Sequence, residues 1–300
     1  MIVKYNSYMK ARVFFRKKLN QVFIKLLSLN TDNSVWEVAV FNTKLNMNIN
    51  VKNILNNSWI ADPFLFNING EYFLFVEQFN KRTKRGEISF SKFEVDGFQN
   101  FTTCIRENFH LSFPRVFMAG DNIYMTVESS SQKGVRLYRS LLFPISWELE
   151  IVVNDFNNYK DPIIIPENEQ FYLFVSSKYS DSKYQIELFE SKDLHSKNWV
   201  SYSKNPISIG ISSIRNGGLI TGPDRYVLVR QRNRFGIYGY DLEFFEINSP
   251  IEFSNFTETS IKNTFFKKPS YAVQFHTINS SGDLITYDYK RKSSYQNTNL

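Results

Sequence analysis

ADPFLFNINGEYFLFVEQF, residues 61–79, is a hairpin of two apolar runs, Phe64-Leu65-Phe66 and Tyr72-Phe73-Leu74-Phe75-Val76. Both runs are apolar on both faces, so each strand must be covered from two sides. The pattern returns downstream. FPRVFMAGDNIYMTVESS occupies 113–130 and DPIIIPENEQFYLFVSS occupies 161–177. In each copy a proline (Pro63, Pro114, Pro162) stands 14 positions before Glu77, Glu128 or Ser176.

A fourth copy, NGGLITGPDRYVLVRQ (216–231), sets Asn216-Gly217 against Asp62-Pro63 and Gln231 against Glu77. A fifth, QFHTINSSGDLITYDY (274–289), sets Phe275 at the proline position and Tyr289 against Glu77. The anchors 63, 114, 162, 217 and 275 are 51, 48, 55 and 58 residues apart. Further strand candidates lie between the hairpins, at 86–95, 135–140, 184–191 and 238–247. About four strands per ~50 residues is the arithmetic of a propeller blade. The chain is therefore expected to be all-β: a five-bladed β-propeller over residues 35–292. WEVAVF (36–41) precedes the first hairpin and completes the fifth blade, closing the ring. A two-sheet sandwich has no need of a spacing that recurs at nearly equal intervals.

The 300 residues are 42% apolar and 22% charged, which suits a folded protein with a core. The excess is aromatic, with 29 Phe and 17 Tyr against 12 Gly, as blade-to-blade packing requires. One cysteine, Cys104, excludes an internal disulfide and a cysteine metal cluster. No apolar run approaches the ~20 residues of a membrane span, and the first residues lack a secretory pattern. A cytoplasmic location is the expectation.

The net charge of +7 does not describe the body. Of 36 basic residues, seven fall within residues 1–30, which hold no acid; the other 29 face 29 acids. No nucleic-acid groove follows from that balance. The basic segment is expected to form a short amphipathic helix within residues 1–34, its apolar positions recurring over residues 8–29. Such a helix can lie on the anionic inner membrane as a peripheral contact. Docking on its own domain is the commoner use. Residues 293–300 read as a disordered tail.

In a propeller, equivalent positions of different blades meet at one end of the central channel. The repeat therefore predicts that Asp62, Phe113, Asp161, Asn216 and Gln274 converge with Glu77, Glu128, Ser176, Gln231 and Tyr289. Asp62, Glu77, Glu128 and Asp161 are the candidate catalytic residues, because crowded carboxyls shift one another into acid/base range. Asp-Pro also starts turns, and a strand-end Glu can simply be solvated. Arg215 and Arg230 can bind an anionic group of a ligand or neutralise the acids. His110, Gln231 and His276 flank the anchors as candidate substrate contacts; His195 lies in a loop-like stretch. No histidine spacing supports a metal, no cofactor motif is present, and none is expected.

The order WEVAVF, WIADPFLFNINGEYFLFVEQF, FHLSFPRVFMAGDNIYMTVESS, FESKDL, RNGG, then FHTI and SGDL resembles one family. It is the domain family named after the N-terminal part of glucosamine inositolphosphorylceramide transferase, which in plants stands beside a glycosyltransferase domain. Bacterial members occur in surface-polysaccharide gene clusters, sometimes fused to a formyltransferase-like domain. The resemblance covers about residues 35–292. At longer range it is similar to five-bladed propeller enzymes acting on glycans: arabinanases, xylosidases, fructosidases and mannoside phosphorylases. That likeness implies that Asp62 is the base or nucleophile and Asp161 a modulator of the acid. The general acid of those enzymes, a Glu in the fourth blade, is replaced here by Arg215-Asn216-Gly217-Gly218. The resemblance thus implies a glycosyltransferase of bacterial surface-polysaccharide (O-antigen or capsule) assembly, with a sugar nucleotide or glycan as ligand and assembly enzymes as partners. In that reading Asp62 is the base, and Arg215 or Arg230 holds the donor phosphate. A non-catalytic glycan-binding propeller and a glycoside hydrolase are the alternatives.

Overall fold

The computed structural model describes residues 35–53, 57–180, 183–209, 213–222, 224–234 and 237–291. The expected basic helix and the expected tail lie outside these residues. Five antiparallel sheets follow one another along the chain. The first blade runs Ser58–Ile68, Glu71–Asn80 and Arg85–Glu94, with Gly97–Phe98 and Thr102–Ile105 both pairing on its third strand. The second runs Ser112–Ala119, Asn122–Glu128, Val135–Leu142 and Ser146–Val153. The third runs Lys160–Glu167, Gln170–Ser180 and Lys183–Ser191, edged by Val200–Ser201 and Ser208–Ile209. The fourth runs Ser213–Thr221, Arg225–Arg234, Ile237–Asn248 and Thr259–Ile261.

The fifth blade is composite. Ala272–Ser281 pairs with Leu284–Arg291, which pairs with the N-terminal strand Glu37–Asn42, which pairs with Met47–Ile49. The ring is thus closed by WEVAVF, as its place before the first hairpin predicted. The one helical piece among the described residues is a 3-10 turn, Phe253–Asn255.

Five apolar clusters hold the ring, one at each seam. Phe75, Ile88 and Phe90 of the first blade meet Val116, Met125 and Tyr138 of the second. Val38 and Val40 of the closing strand meet Leu65, Leu74 and Val76 of the first blade. Strands that are buried on both faces account for Leu74, Phe75 and Val76, none of which is exposed at all.

Each inner strand is broken by a bulge near its start. The ladder slips between Ala61 and Phe64, Ser112 and Arg115, Lys160 and Ile163, Asn216 and Gly218, and Phe275 and Ile278. In the first three blades the bulged residues Asp62, Phe113 and Asp161 sit at φ of 48°, 50° and 48°. Proline follows each of them, so the amide missing from the ladder is one that proline does not have.

The register corrects one expectation. Ala61 faces Glu77 and Phe275 faces Tyr289, so the fifth hairpin is two residues shorter than the first. A gap-free repeat counted back from Tyr289 therefore lands two residues early. His276, not Gln274, takes the place of Asp62, and Thr277, not Phe275, takes the proline position.

Gly218 shows how closely the inner strands approach. Its φ is +128°, and a Cβ there would lie 2.0 Å from the Ile278 carbonyl oxygen. Gly218→Ala is expected to cost more than about 3 kcal/mol, from strain and a blocked seam together. Urea unfolding checks this; a loss under 1 kcal/mol would contradict the described contact.

Candidate functional site

The bulges turn backbone amides away from their own sheets, and neighbouring blades supply acceptors. The Phe113 amide donates to Asp62 Oδ2 at 3.0 Å, and the Asp161 amide to Glu128 Oε2 at 3.1 Å. The Asn216 amide donates to Ser176 Oγ at 2.8 Å, and the Asp62 amide to Asp288 Oδ2 at 2.9 Å. Where the fifth blade lacks proline, Asp288 Oδ1 accepts from both the His276 and Thr277 amides, at 3.2 and 2.9 Å. These bonds gather buried carboxyls at one end of the channel.

The cluster has two halves. In one, Arg215 grips Asp161, with Nε to Oδ2 at 2.7 Å and Nη2 to Oδ1 at 2.5 Å. The same guanidinium reaches Glu128 Oε2 at 2.8 Å, and Lys160 Nζ meets Glu128 Oε1 at 3.0 Å. Burial alone would raise Glu128, but Arg215 and Lys160 outweigh it and hold the carboxyl down at about 2. Burial, with Glu128 alongside, pushes Asp161 up to about 7 against the pull of Arg215.

The other half is built on Asp62, Glu77, His276 and Asp288. His276 lies between two carboxylates, Nε2 at 3.2 Å from Asp62 Oδ1 and Nδ1 at 2.6 Å from Asp288 Oδ2. Burial opposes its charge, but Asp288 and Asp62 prevail and raise its pKa. Trp36, just before the closing strand, stacks on the imidazole with ring centres 4.0 Å apart. Burial lifts Asp62 to about 6, although His276 opposes the rise. Glu77 is also raised well above the usual carboxylate range, through burial and then the charge of Asp62. Its Oε1 has no full hydrogen bond; His110 Nε2 lies 3.4 Å away. His110 Nδ1 accepts the Gly86 amide at 2.9 Å, so the ring is neutral with its proton on Nε2. Burial lowers its pKa in agreement. Only glycine permits this contact, because a Cβ at residue 86 would sit 2.8 Å from Glu77 Oε1.

Asp62, Glu77, Glu128, Asp161, Arg215 and His276 are thus brought together, with His110 at the rim. Arg230 is not among them. It is wholly buried inside the fourth blade, ion-paired to Glu258 and 4.2 Å over the Phe245 ring. Neighbours on a strand point to opposite faces, and Gln231 has the anchor position, its amide bonded to the Asn216 carbonyl at 2.8 Å. Neither Arg230 nor Arg215 is a free cation, so the geometry favours the counter-ion reading of both. His195 lies apart, near Tyr124 and Glu150.

The sequence reading missed Asp288, Lys160, Trp36 and Tyr238. Asp288 had a signal: an acid inside the apolar run LITYDY, opposite the one bulge with neither proline nor glycine at its second position. Tyr238, two-fifths exposed, stands edge-on to both Trp36 and His276 and 5.7 Å from the Arg215 guanidinium. Asp62, His276 and Asp288 place candidate ligand atoms within 4.8 Å of one another and could hold a metal ion. His276 already lies within ion-pair distance of both carboxylates.

The family described as "Glucosamine inositolphosphorylceramide transferase 1, N-terminal" matches residues 19–275. A relative of that name from Arabidopsis thaliana is 33% identical over 175 residues, covering 55% of this chain and 22% of its own. Another from Oryza sativa subsp. indica is 28% identical over 227 residues, covering 73% of this chain and 30% of its own. The chain therefore spans less than a third of the length of these relatives. Among solved structures, an α-L-arabinofuranosidase from Lactobacillus brevis overlays with TM-score 0.59 at 11% identity, over 80% of this chain and 86% of that one. A thermostable family-43 glycoside hydrolase overlays with TM-score 0.55 at 13% identity, over 81% and 91%. These overlays establish the propeller fold.

Two stability measurements test the electrostatics. Arg215→Met leaves Glu128 and Asp161 without their shared partner, and a loss of about 3–5 kcal/mol in chemical denaturation is expected. An unchanged midpoint would mean that the guanidinium is held for a ligand alone. Asp62→Asn has the opposite sign. A carboxyl raised from 3.8 to about 6 stabilises the fold fully below pH 4, and that contribution is lost as pH rises through 6. The Asn variant is therefore expected to be more stable than wild type at pH 8, by up to roughly 3 kcal/mol, with the gap closing below pH 4. A deficit at pH 8 would show that the His276 pairing outweighs burial.

Proposed function

The chain belongs to the family described as glucosamine inositolphosphorylceramide transferase 1, N-terminal, and on that premise we propose that the channel mouth binds a sugar and takes part in glycosyl transfer. The reaction is displacement at the anomeric carbon of a donor whose leaving group is a phosphate. The acceptor oxygen bonds to that carbon as the carbon–phosphate oxygen bond breaks. The acceptor's proton passes to Asp62, and the bonding pair leaves with the phosphate, which needs little protonation. His276, held by Asp288 and Trp36, orients the Asp62 carboxylate and steadies its charge.

The observation that carries this reading is the unequal treatment of the acids. Glu128 and Asp161 are fixed by Arg215, and Glu128 by Lys160 as well, whereas Asp62 faces only His276, which Asp288 also engages, and is raised to about 6. Asp161 is raised too, to about 7, but both its oxygens are held by the guanidinium. A base that titrates near the working pH is matched to proton abstraction. Hydrolysis fits less well. Glycosidase carboxyls flank the scissile bond as an acid and a base, and the fourth-blade anchor where the acid would stand holds Arg215, whose guanidinium is engaged by Glu128 and Asp161. The acidic surplus also suits a neutral or amino sugar at the mouth better than a phosphate, so the donor phosphate lies outside the cluster. Bacterial surface-polysaccharide assembly is the setting we propose, on motif order alone.

A glycan-binding propeller without turnover is the second reading. It is favoured by the seam bonds, which already give Asp62, Glu128 and Asp288 structural work. Thermal-shift screening with UDP-sugars, glucosamine and glycan fragments finds the ligand without assuming a reaction. With the donor and acceptor it identifies, transfer should rise with pH through about 6 as Asp62 ionises. Asp62→Asn should lower turnover by about 10²–10⁴-fold while affinity stays within a few-fold. A variant that changes only affinity supports the binding module instead.

A further inference from the structure

Among the described residues three guanidiniums are buried in the ring, and two have carboxylates: Arg215 has Asp161 and Glu128, and Arg230 has Glu258. Arg115 is the exception. It lies two residues past the bulge of the second blade's inner strand and is 7% exposed. No carboxylate pairs with it among the described residues. Its Nη1 reaches Asn279 Oδ1 at the long distance of 3.5 Å, and that oxygen already accepts the Leu219 amide at 3.0 Å. Its Nε is buried with no partner. The Phe64 ring lies 5.0 Å beneath the guanidinium and can contribute only a weak cation–π attraction. The Tyr226 hydroxyl on the fourth blade is already turned to Glu167 at 3.3 Å.

An arginine does not escape burial by deprotonating within the physiological range. An unpaired buried charge is among the costliest features a fold can carry, and removing one partner from a buried pair destabilises by about 3–5 kcal/mol. Burial does depress Arg115, to about 9, still above neutral pH. A charged group that the fold leaves without a partner requires a counter-ion from solution. One guanidinium, with no second cation and with its amide neighbour saturated, matches a small monovalent anion. A phosphate would bring two charges and several acceptors to a place that offers one fork of donors.

We infer that Arg115 holds a halide ion within the propeller, where the inner strands of the first, second and fifth blades approach one another, separate from the carboxylate cluster. The ion neutralises the buried guanidinium and stabilises the closed ring. It has no part in glycosyl transfer, so this inference stands whether or not Asp62 is a base.

The test is thermal unfolding of the full chain at pH 8 and constant ionic strength, with sodium gluconate replaced stepwise by chloride or bromide. The melting temperature of the wild type should rise and saturate, because an ion that binds only the folded state stabilises by mass action. Chloride-35 NMR of the folded protein should show line broadening that bromide reverses. Arg115→Met, which removes the charge and keeps the bulk, should abolish both effects and be at least as stable as wild type in gluconate. Equal melting temperatures in gluconate and chloride, together with no broadening, would overturn the inference. So would a Met variant that keeps the chloride effect, or one that loses stability equally in both salts. If the variant does not fold, the wild-type broadening and its reversal by bromide decide the matter alone.

Discussion

Closing five blades around a channel depends on what is done with the amides at the inner-strand bulges. Asp62, Phe113 and Asp161 leave the ladder at φ near 50°, a left-handed conformation that costs of order 1–3 kcal/mol for a residue other than glycine. Their amides then point across the seam, where an unanswered donor would add a further desolvation penalty. Asp288, Asp62 and Glu128 answer them from the neighbouring blade, as Ser176 answers the Asn216 amide of the fourth. Charge-assisted bonds of this kind are stronger than amide-to-carbonyl bonds, which suits them to joining sheets that share no ladder. The carboxyls are thus drawn to one end of the channel by the geometry of closure, before any ligand is considered.

Crowding them creates a second problem, and its solution divides the site. Two acids receive Arg215, and one of those receives Lys160 as well. Asp62 receives only His276, whose charge is shared with Asp288, and Glu77 faces the neutral His110 at 3.4 Å. Burial raises Asp62 and Glu77 in this half, and raises Asp161 in the other despite its guanidinium. The two halves differ in what holds them: both Asp161 oxygens are taken by Arg215, whereas Asp62 has one ring nitrogen and one backbone amide.

The legibility of this arrangement followed the prolines. Pro63, Pro114 and Pro162 mark bulges because proline tolerates a missing ladder bond, and the spacing of 14 to Glu77, Glu128 and Ser176 survives in the register. Ring closure by WEVAVF was legible because a lone strand before five hairpins has one open edge to join. The fifth blade was misread where proline is absent and the hairpin is two residues shorter, which hid the equivalence of His276 to Asp62 and the need for Asp288. Arg230 and Gln231 are adjacent in sequence, yet period-two alternation gives one of them to the blade interior and the other to the channel face. Lys160, Trp36 and Tyr238 reach the cluster from strand ends and a loop whose directions no repeat encodes.

The fourth blade explains why the site lacks the acid that its resemblance to propeller glycosidases implies. Arg215 stands at that anchor, and its guanidinium is the shared partner of Glu128 and Asp161. A glutamate in its place would set a third carboxyl against two that had lost their counter-ion. Asn216 beside it is wholly buried, its amide on Ser176 and its side chain on the Asp161 carbonyl at 3.0 Å. Gly217 and Gly218 are pressed against the His276 and Ile278 carbonyls, with no room for a side chain. Every position that could carry the acid is occupied by the seam. A site built this way carries a guanidinium and no carboxyl at its fourth anchor.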